Sequence, residues 1–186
     1  MCQSKALLRV RHYDACYSER AGLADGTRVV LRPLGPGDGA RLAVAFARLS
    51  PRTRGLRFLS GKAELSSHEL RKLSDVDGEI DFALVACLED APDEMIGIVR
   101  FLRFEQDPAR AEVAAMVVDA FQGRGLGRLL LLRLIEAAWE RGVRAFHCEL
   151  AKTNSPALCL VHEAGLWPER GEDGVLAVEV PLSGVL

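Results

Sequence analysis

The sequence predicts an α/β protein whose single sheet mixes parallel and antiparallel strands. Three observations lead there. Asp81 to Leu88, Met95 to Phe104 and Ala111 to Val118 are strand-like runs joined by the turns Asp90-Ala91-Pro92-Asp93 and Gln106-Asp107-Pro108, which makes an antiparallel meander. After Val118, strand and helix patterns alternate, which places helices between neighbouring strands. The chain has 186 residues, 49% of them apolar, which suits one domain around one core.

Residues 1 to 25 end in the turn Ala24-Asp25-Gly26 and read as an N-terminal extension, flexible or folded onto a domain spanning 26–186. Thr27 to Pro33 reads as a first strand. From Gly39 to Leu49, Leu42, Ala45, Phe46 and Leu49 recur at helical spacing. Ser50-Pro51 opens a second short helix, since serine caps a helix and proline is tolerated in its first turn. Ser66-Ser67-His68-Glu69 is a capping signal ahead of Leu70 and Leu73. The meander follows. A long helix then runs from about Gly125 to Arg141, with Leu126, Leu129, Leu130, Leu134, Ala137 and Ala138 on its buried side and Gly142 as its stop. Ala145 to Leu150 is a strand, Ser155 to Ala164 a helix and Val175 to Leu182 a last strand.

Composition narrows the function. Lysine and arginine total 24 against 26 acidic residues, a net charge of -2, which argues against a dedicated nucleic-acid binder. The cysteines are Cys2, Cys16, Cys87, Cys148 and Cys159; their odd number and the lack of a C-x-x-C pair point to buried or free thiols in a reduced, cytoplasmic protein. No His/Cys/Asp spacing suggests a metal site. No run approaches the ~18 apolar residues of a membrane span. The start Met1-Cys2-Gln3-Ser4-Lys5, soon followed by Arg9, Arg11 and His12, is no secretory signal.

The most informative stretch is Val117-Val118-Asp119-Ala120-Phe121-Gln122-Gly123-Arg124-Gly125-Leu126-Gly127-Arg128, which joins a strand to the long helix. Its glycines let a ligand approach the backbone closely. The unpaired N–H groups and dipole of a helix start make an anion site suited to a pyrophosphate. A dinucleotide fingerprint is excluded because Arg128 stands where its third glycine would be, and the G-K-[ST] of a Walker loop is absent.

Gln122-Gly123-Arg124-Gly125-Leu126-Gly127 resembles the Q/R-x-x-G-x-G/A acetyl-CoA signature of the GNAT superfamily of N-acetyltransferases. Asn154-Ser155-Pro156-Ala157, followed by Leu160 and Gly165-Leu166, is similar to that family's later N-x-x-A…G-F segment, and the resemblance covers roughly 27–182. It implies a mixed, mostly antiparallel sheet of six to seven strands flanked by about four helices. The two central strands, here Ala111–Val118 and Ala145–Leu150, would splay apart, and the first of them would carry a bulge. It implies acetyl-CoA as co-substrate. Main-chain groups of Val117 and Val118 would meet the pantetheine arm. Amides from Gly123 through Arg124, Gly125, Leu126 and Gly127 to Arg128 would hold the pyrophosphate, with Gln122 and Asn154 completing the site. A homodimer is compatible with the resemblance.

Acylation of an amine requires a neutral nitrogen. A lysine amine titrates near 10.4, so freeing its proton at neutral pH costs roughly 4–5 kcal/mol. A positioned base removes that proton, and an amide at the strand bulge would serve the developing oxyanion. Glu112, in Ala111-Glu112-Val113, is the first candidate base; it is similar in context to the catalytic glutamate of the family's protein-lysine acetyltransferases. Glu149 and His147 on the next strand are the reserves. The family's thiolate-protonating tyrosine would fall at Val161, and Tyr13 and Tyr17 lie far away in sequence, so Cys159, His162 or water would have to replace it. Finally, Leu49-Ser50-Pro51-Arg52-Thr53-Arg54-Gly55-Leu56-Arg57-Phe58-Leu59 is similar to the S-P-[ED]-[ST]-R-x-L-R-F acceptor wall of bacterial protein-lysine acetyltransferases. That favours a protein lysine over a small amine, or over a CoA-binding protein without turnover.

Overall fold

A computed structural model describes residues 11–58, 65–171 and 175–184. Residues 1–10 and Leu59 of the acceptor-wall motif lie outside the described residues. Eight strands form one open sheet: β1 (Glu19–Gly22), β2 (Arg28–Pro33), β3 (Asp81–Leu88), β4 (Met95–Arg103), β5 (Arg110–Val117), β6 (Ala145–Ala151), β7 (Glu169–Arg170) and β8 (Val175–Pro181). Their spatial order is β1-β2-β3-β4-β5-β6-β8-β7. The five α-helices are α1 (Gly39–Ala47), α2 (Pro51–Phe58), α3 (Ser67–Ser74), α4 (Leu126–Glu140) and α5 (Ser155–Glu163). The expected strands and helices are all present within a few residues of their predicted limits. β1 and β7 bring the strand count above the six or seven expected, and the helix count is five against about four.

Two cores lie on the two faces of the sheet. On one face, α4 buries Leu126, Leu130 and Leu134 against Leu31, Leu84, Ile96 and Phe101. Each such leucine contributes about 1.5–3 kcal/mol when fully buried. On the other, Leu42, Ala45 and Phe46 of α1 pack over Val85, Cys87, Met95 and Met116, with Leu70 and Leu73 of α3 at the margin. The capping signal before α3 is realised in full: the Ser66 hydroxyl accepts the Glu69 amide, and the Glu69 carboxylate accepts the Ser66 amide.

Residues just before β1 close over α4. Tyr13 is buried in the α4 core. Its amide donates to Glu140 Oε2 at 3.0 Å and its carbonyl accepts from Arg141 Nη2 at 2.6 Å. Arg133 Nη2 donates to Glu19 Oε1 at 2.8 Å, which ties β1 itself to the outer face of α4.

One correction concerns the bulge. The β4–β5 register runs without a shift from Arg103↔Ala111 to Gly97↔Val117. The Val118 amide then donates to the Ile96 carbonyl at 2.9 Å, continuing the same ladder. No bulge therefore ends β5. The irregularity lies between β3 and β4, where Ala86↔Gly97 is followed by Cys87↔Met95 and Ile96 is the extra residue. The extra residue puts the consecutive Ile96 and Gly97 on the same face, that of α4, while Met95 is buried in the opposite core.

Candidate functional site

The sheet opens at its one parallel junction. β5 and β6 pair at Arg110↔Ala145, Ala111↔Phe146 and Glu112↔His147, and there the pairing stops. Beyond it β5 stays with β4, while β6 stays with β8 to Ala151. The predicted splay is present, and it begins at Glu112.

Hydrogen-bond parity tells which groups the gap receives. In an antiparallel ladder alternate residues bond to the partner strand. Val118 bonds to β4 through Ile96, so Met116 and Ala114 face β4 as well. Val113, Ala115 and Val117 therefore direct their main-chain groups into the gap left by β6. Ala115 is exposed although it sits in a central strand, because nothing flanks it there. The two valines named in the signature thus divide. Val117 faces the gap, and its carbonyl accepts the Gln122 side-chain amide at 2.9 Å. The Val118 N–H is committed to the sheet.

The chain then passes through the short 3-10 turn Asp119–Phe121 into α4. Gly123 and Gly125 take φ of 73° and 87°, a left-handed conformation costly for other residues. Gly125 is the N-cap of α4, and no side chain caps the first turn. The amides of Leu126, Gly127 and Arg128 thus have no intrahelical acceptor and sit at the positive end of a 15-residue helix. Arg124 turns away from the helix mouth to pair with Asp25, its guanidinium over the Phe121 ring at 5.1 Å. Arg128 reaches α5 and pairs with Glu163 at 2.8 Å. Asn154 caps α5, its Oδ1 accepting the Ala157 amide at 3.3 Å. Although α5 carries Ala157, Leu158, Leu160 and Val161, none of its residues is buried. The Asn154 side chain is thus engaged in holding a helix end.

Glu112 is exposed on β5. It projects from the face that α1, α2 and α3 cover, beside a small cavity of about 30 Å³ lined by Phe46, Arg57, Arg100, Ala114 and Met116. Arg100 is anchored on Asp81. Burial pulls the Arg57 guanidinium below its ordinary range; repulsion from Arg100 adds to this and the Glu112 charge opposes it. Glu112 therefore stands among positive charge at the start of the gap.

The reserve residues divide too. His147 is the register partner of Glu112, and its Nδ1 lies 2.7 Å from Glu179 Oε1 on β8. Glu149 is exposed further along β6. Cys159 and His162 are exposed on α5, where His162 meets the Trp167 ring at 4.8 Å. Burial, and secondarily the charge of Glu179, pushes the Cys148 thiol up to about 12 and keeps it protonated. Among the described residues no group of three His, Cys, Asp or Glu could hold a metal ion, and no helix is long and apolar enough to cross a membrane.

Sequence reasoning missed two arrangements. Asp119 accepts the Ser50 amide, the Ser50 hydroxyl and the Thr53 hydroxyl, which fixes α2 to the turn before α4. Glu179 was not singled out as the partner of His147. A local motif could signal neither: in the first the partners are 69 residues apart, and in the second 32.

Residues 44–165 match the acetyltransferase (GNAT) family. The chain is 33% identical over 152 residues to the acetyltransferase PA5475 of Pseudomonas aeruginosa, covering 81% of each. It is 32% identical over 155 residues to the acetyltransferase Pat of Mycolicibacterium smegmatis; these cover 83% of this chain but 46% of that longer protein. The crystal structure of the GNAT domain of S. lividans PAT superposes with a TM-score of 0.83 at 29% identity, covering 91% of this chain and 99% of that one.

Proposed function

The chain belongs to the acetyltransferase (GNAT) family, and from that premise we propose that it transfers an acetyl group from acetyl-CoA to a protein lysine, with Glu112 as general base. The observation that carries this reading is the opening of the sheet beyond Glu112↔His147, next to the uncapped start of α4. A pantetheine arm contains amides and suits the free edge of Val113, Ala115 and Val117 as an added strand. Its pyrophosphate suits the amides at the mouth of α4, from the Gln122–Gly125 turn through Leu126, Gly127 and Arg128. Val118 supports the site through the sheet rather than by its own N–H. Asn154 supports it by capping α5, whose uncovered apolar residues offer a surface to the bound arm.

Acetyl-CoA supplies a thioester, an acyl group activated towards amines. Glu112 takes the proton of the acceptor ammonium, directly or through water. In the absence of a β5 bulge, the donor for the oxyanion comes from an edge amide of Ala115 or Val117. Arg57 and Arg100 place positive charge beside Glu112. Two observations support a protein lysine as acceptor: the 49–58 segment resembling the family's acceptor wall forms α2, and α2 lies against β5 beside Glu112.

The test is turnover of acetyl-CoA with a panel of lysine peptides, intact proteins, polyamines and aminoglycosides, alongside calorimetry with CoA. The expected result is CoA binding, acetyl-lysine in peptide or protein, and loss of turnover in Glu112→Gln with CoA binding kept. Acetylation of small amines alone overturns the lysine acceptor. CoA binding without turnover of any amine overturns the enzyme reading.

A further inference from the structure

We infer that His147, held by Glu179, relays the reaction's surplus proton from Glu112 to solvent. The inference rests on the proposed role of Glu112. The stoichiometry creates the need. An ammonium and a thioester become an amide and a thiol: a C–N bond forms and a C–S bond breaks. The nitrogen gives up two protons, the departing sulfur takes one, and one must leave the site in every turnover. A base that kept it could not act again.

The geometry supplies an exit. Glu112 and His147 are register partners in the parallel ladder, and register partners project from the same face of a sheet. They form the last pair before β5 and β6 part, so both stand at the root of the gap. The next strand continues the row: His147↔Glu179 is a register pair of β6 and β8. Glu179 Oε1 lies 2.7 Å from His147 Nδ1. Arg110, also on β5, pairs with Glu179 from the other side, and its guanidinium lies over the Phe104 ring at 5.5 Å. That ring meets the imidazole edge-on at 6.1 Å. The imidazole is thus braced by a carboxylate and an aromatic ring, and its side chain keeps 25% of its surface in solvent.

The tautomer follows from the neighbours. Burial pushes the Glu179 carboxyl up, but hydrogen bonds from Arg110 and His147 outweigh it and hold the group below its ordinary value. Glu179 is therefore an acceptor. Nδ1 must be the donor, and Nε2 keeps its lone pair. That nitrogen takes the proton that Glu112 has received, and the imidazolium formed is stabilised by Glu179 until water removes the proton. The charged groups facing the pair are Arg110 and Glu112 from β5, Glu149 from β6 itself, Glu179 from β8, Arg100 from β4 and Arg57 from α2. His147 acts through Glu112 and is a positioning and relay residue, not a second base on the substrate.

The test compares His147→Gln, Glu179→Gln, Glu112→Gln and the double variant Glu112→Gln/His147→Gln. Steady-state kinetics with a lysine peptide are run from about pH 6 to 9, with CoA affinity by calorimetry. His147→Gln is expected to lower kcat about tenfold with KM and CoA affinity unchanged, and added imidazole should restore part of the loss. Glu179→Gln should lower kcat less than His147→Gln does, because the imidazolium formed in turnover loses its counter-charge. The double variant should be no slower than Glu112→Gln alone. An unchanged kcat and pH profile in His147→Gln, with Glu112→Gln inactive, overturns the relay and leaves the base. A fully active Glu112→Gln overturns the base, and the relay with it.

Discussion

Asp119 accepts the main-chain amide of Ser50 at 2.9 Å and its hydroxyl at 2.7 Å, binding the start of α2 to the turn that opens α4. Thr53 adds a third donor at 2.8 Å, and Gln122 spans from Thr53 to the Val117 carbonyl. From Pro51 to Arg57 no residue is fully buried, and Arg57, the most enclosed, is charged, so α2 has little apolar anchorage of its own. Asp119→Ala should therefore release α2 and raise KM for the acceptor more than it weakens CoA. Hydrogen bonds to a charged group contribute about 1.5–3 kcal/mol each, and partial exposure reduces that here. A total loss of about 2 kcal/mol in urea unfolding is expected. An acceptor KM within about twofold of the parent would mean that α2 is held by other contacts.

The same carboxylate predicts a pH dependence. Burial pushes the Asp119 carboxyl up, but donation by Ser50 and Thr53 outweighs it, and the group sits below its ordinary value. A depressed folded value stabilises the protein fully above the unfolded value of about 3.9, and the stabilisation is lost as pH falls through the folded value. Glu19 behaves alike, lowered chiefly by its hydrogen bond from Arg133. Stability should thus decline below about pH 4, and Asp119→Asn should flatten that decline. Urea midpoints between about pH 3 and 7 check it; equal slopes in parent and variant would remove Asp119 from the account.

The sequence carried most of this architecture because its periodicities are strong. β3 is an unbroken apolar run buried from Phe82 to Cys87, and α4 repeats leucine at helical spacing over 15 residues. β1 escaped because Glu-Arg-Ala-Gly has no apolar alternation; it is a strand through pairing with β2, from Glu19↔Leu31 to Gly22↔Arg28. β7 is two residues long and is defined by β8 alone. The glycine loop was legible because its chemistry is main-chain and local. The Asp119–Ser50 clasp and the Glu112–His147–Glu179 row were not, since the first joins a turn to a helix start 69 residues away and the second depends on inter-strand register. Register also decided against the expected bulge: the extra residue lies in β4, where consecutive Ile96 and Gly97 both face α4.

Two glycines of the loop should respond differently to alanine. Gly125 has a φ of 87°, so a side chain there is strained even though nothing lies within 4 Å of the added Cβ. The left-handed conformation costs roughly 1–2 kcal/mol in other residues. A Cβ on Gly127 would only touch Val117 Cγ2 at 3.8 Å, an ordinary contact. Gly125→Ala should weaken CoA about tenfold or more through a displaced helix mouth, while Gly127→Ala stays within about threefold. Calorimetry with CoA measures both. Equal losses would imply that the ligand approaches Gly127 so closely that no methyl group fits.

Gly97 tests how α4 is seated. It lies in β4 opposite Val117, directly beneath α4. A Cβ added there would meet Leu130 Cδ1 at 2.9 Å, Leu126 Cδ2 at 3.3 Å and the Met116 carbonyl at 3.4 Å. Leu130 is fully buried and Leu126 nearly so, so neither side chain has free space to retreat into. Over-packing of this kind costs about 1–3 kcal/mol, and the strain falls on the first turn of α4. Gly97→Ala should therefore lower the urea midpoint and weaken CoA together, and Gly97→Val should do both more severely. Gly22→Ala is the control: it is a strand glycine with nothing within 4 Å of the added Cβ. If Gly97→Ala loses stability but keeps full CoA affinity, the helix mouth is held independently of the sheet beneath it, and the coupling between core packing and ligand binding is wrong.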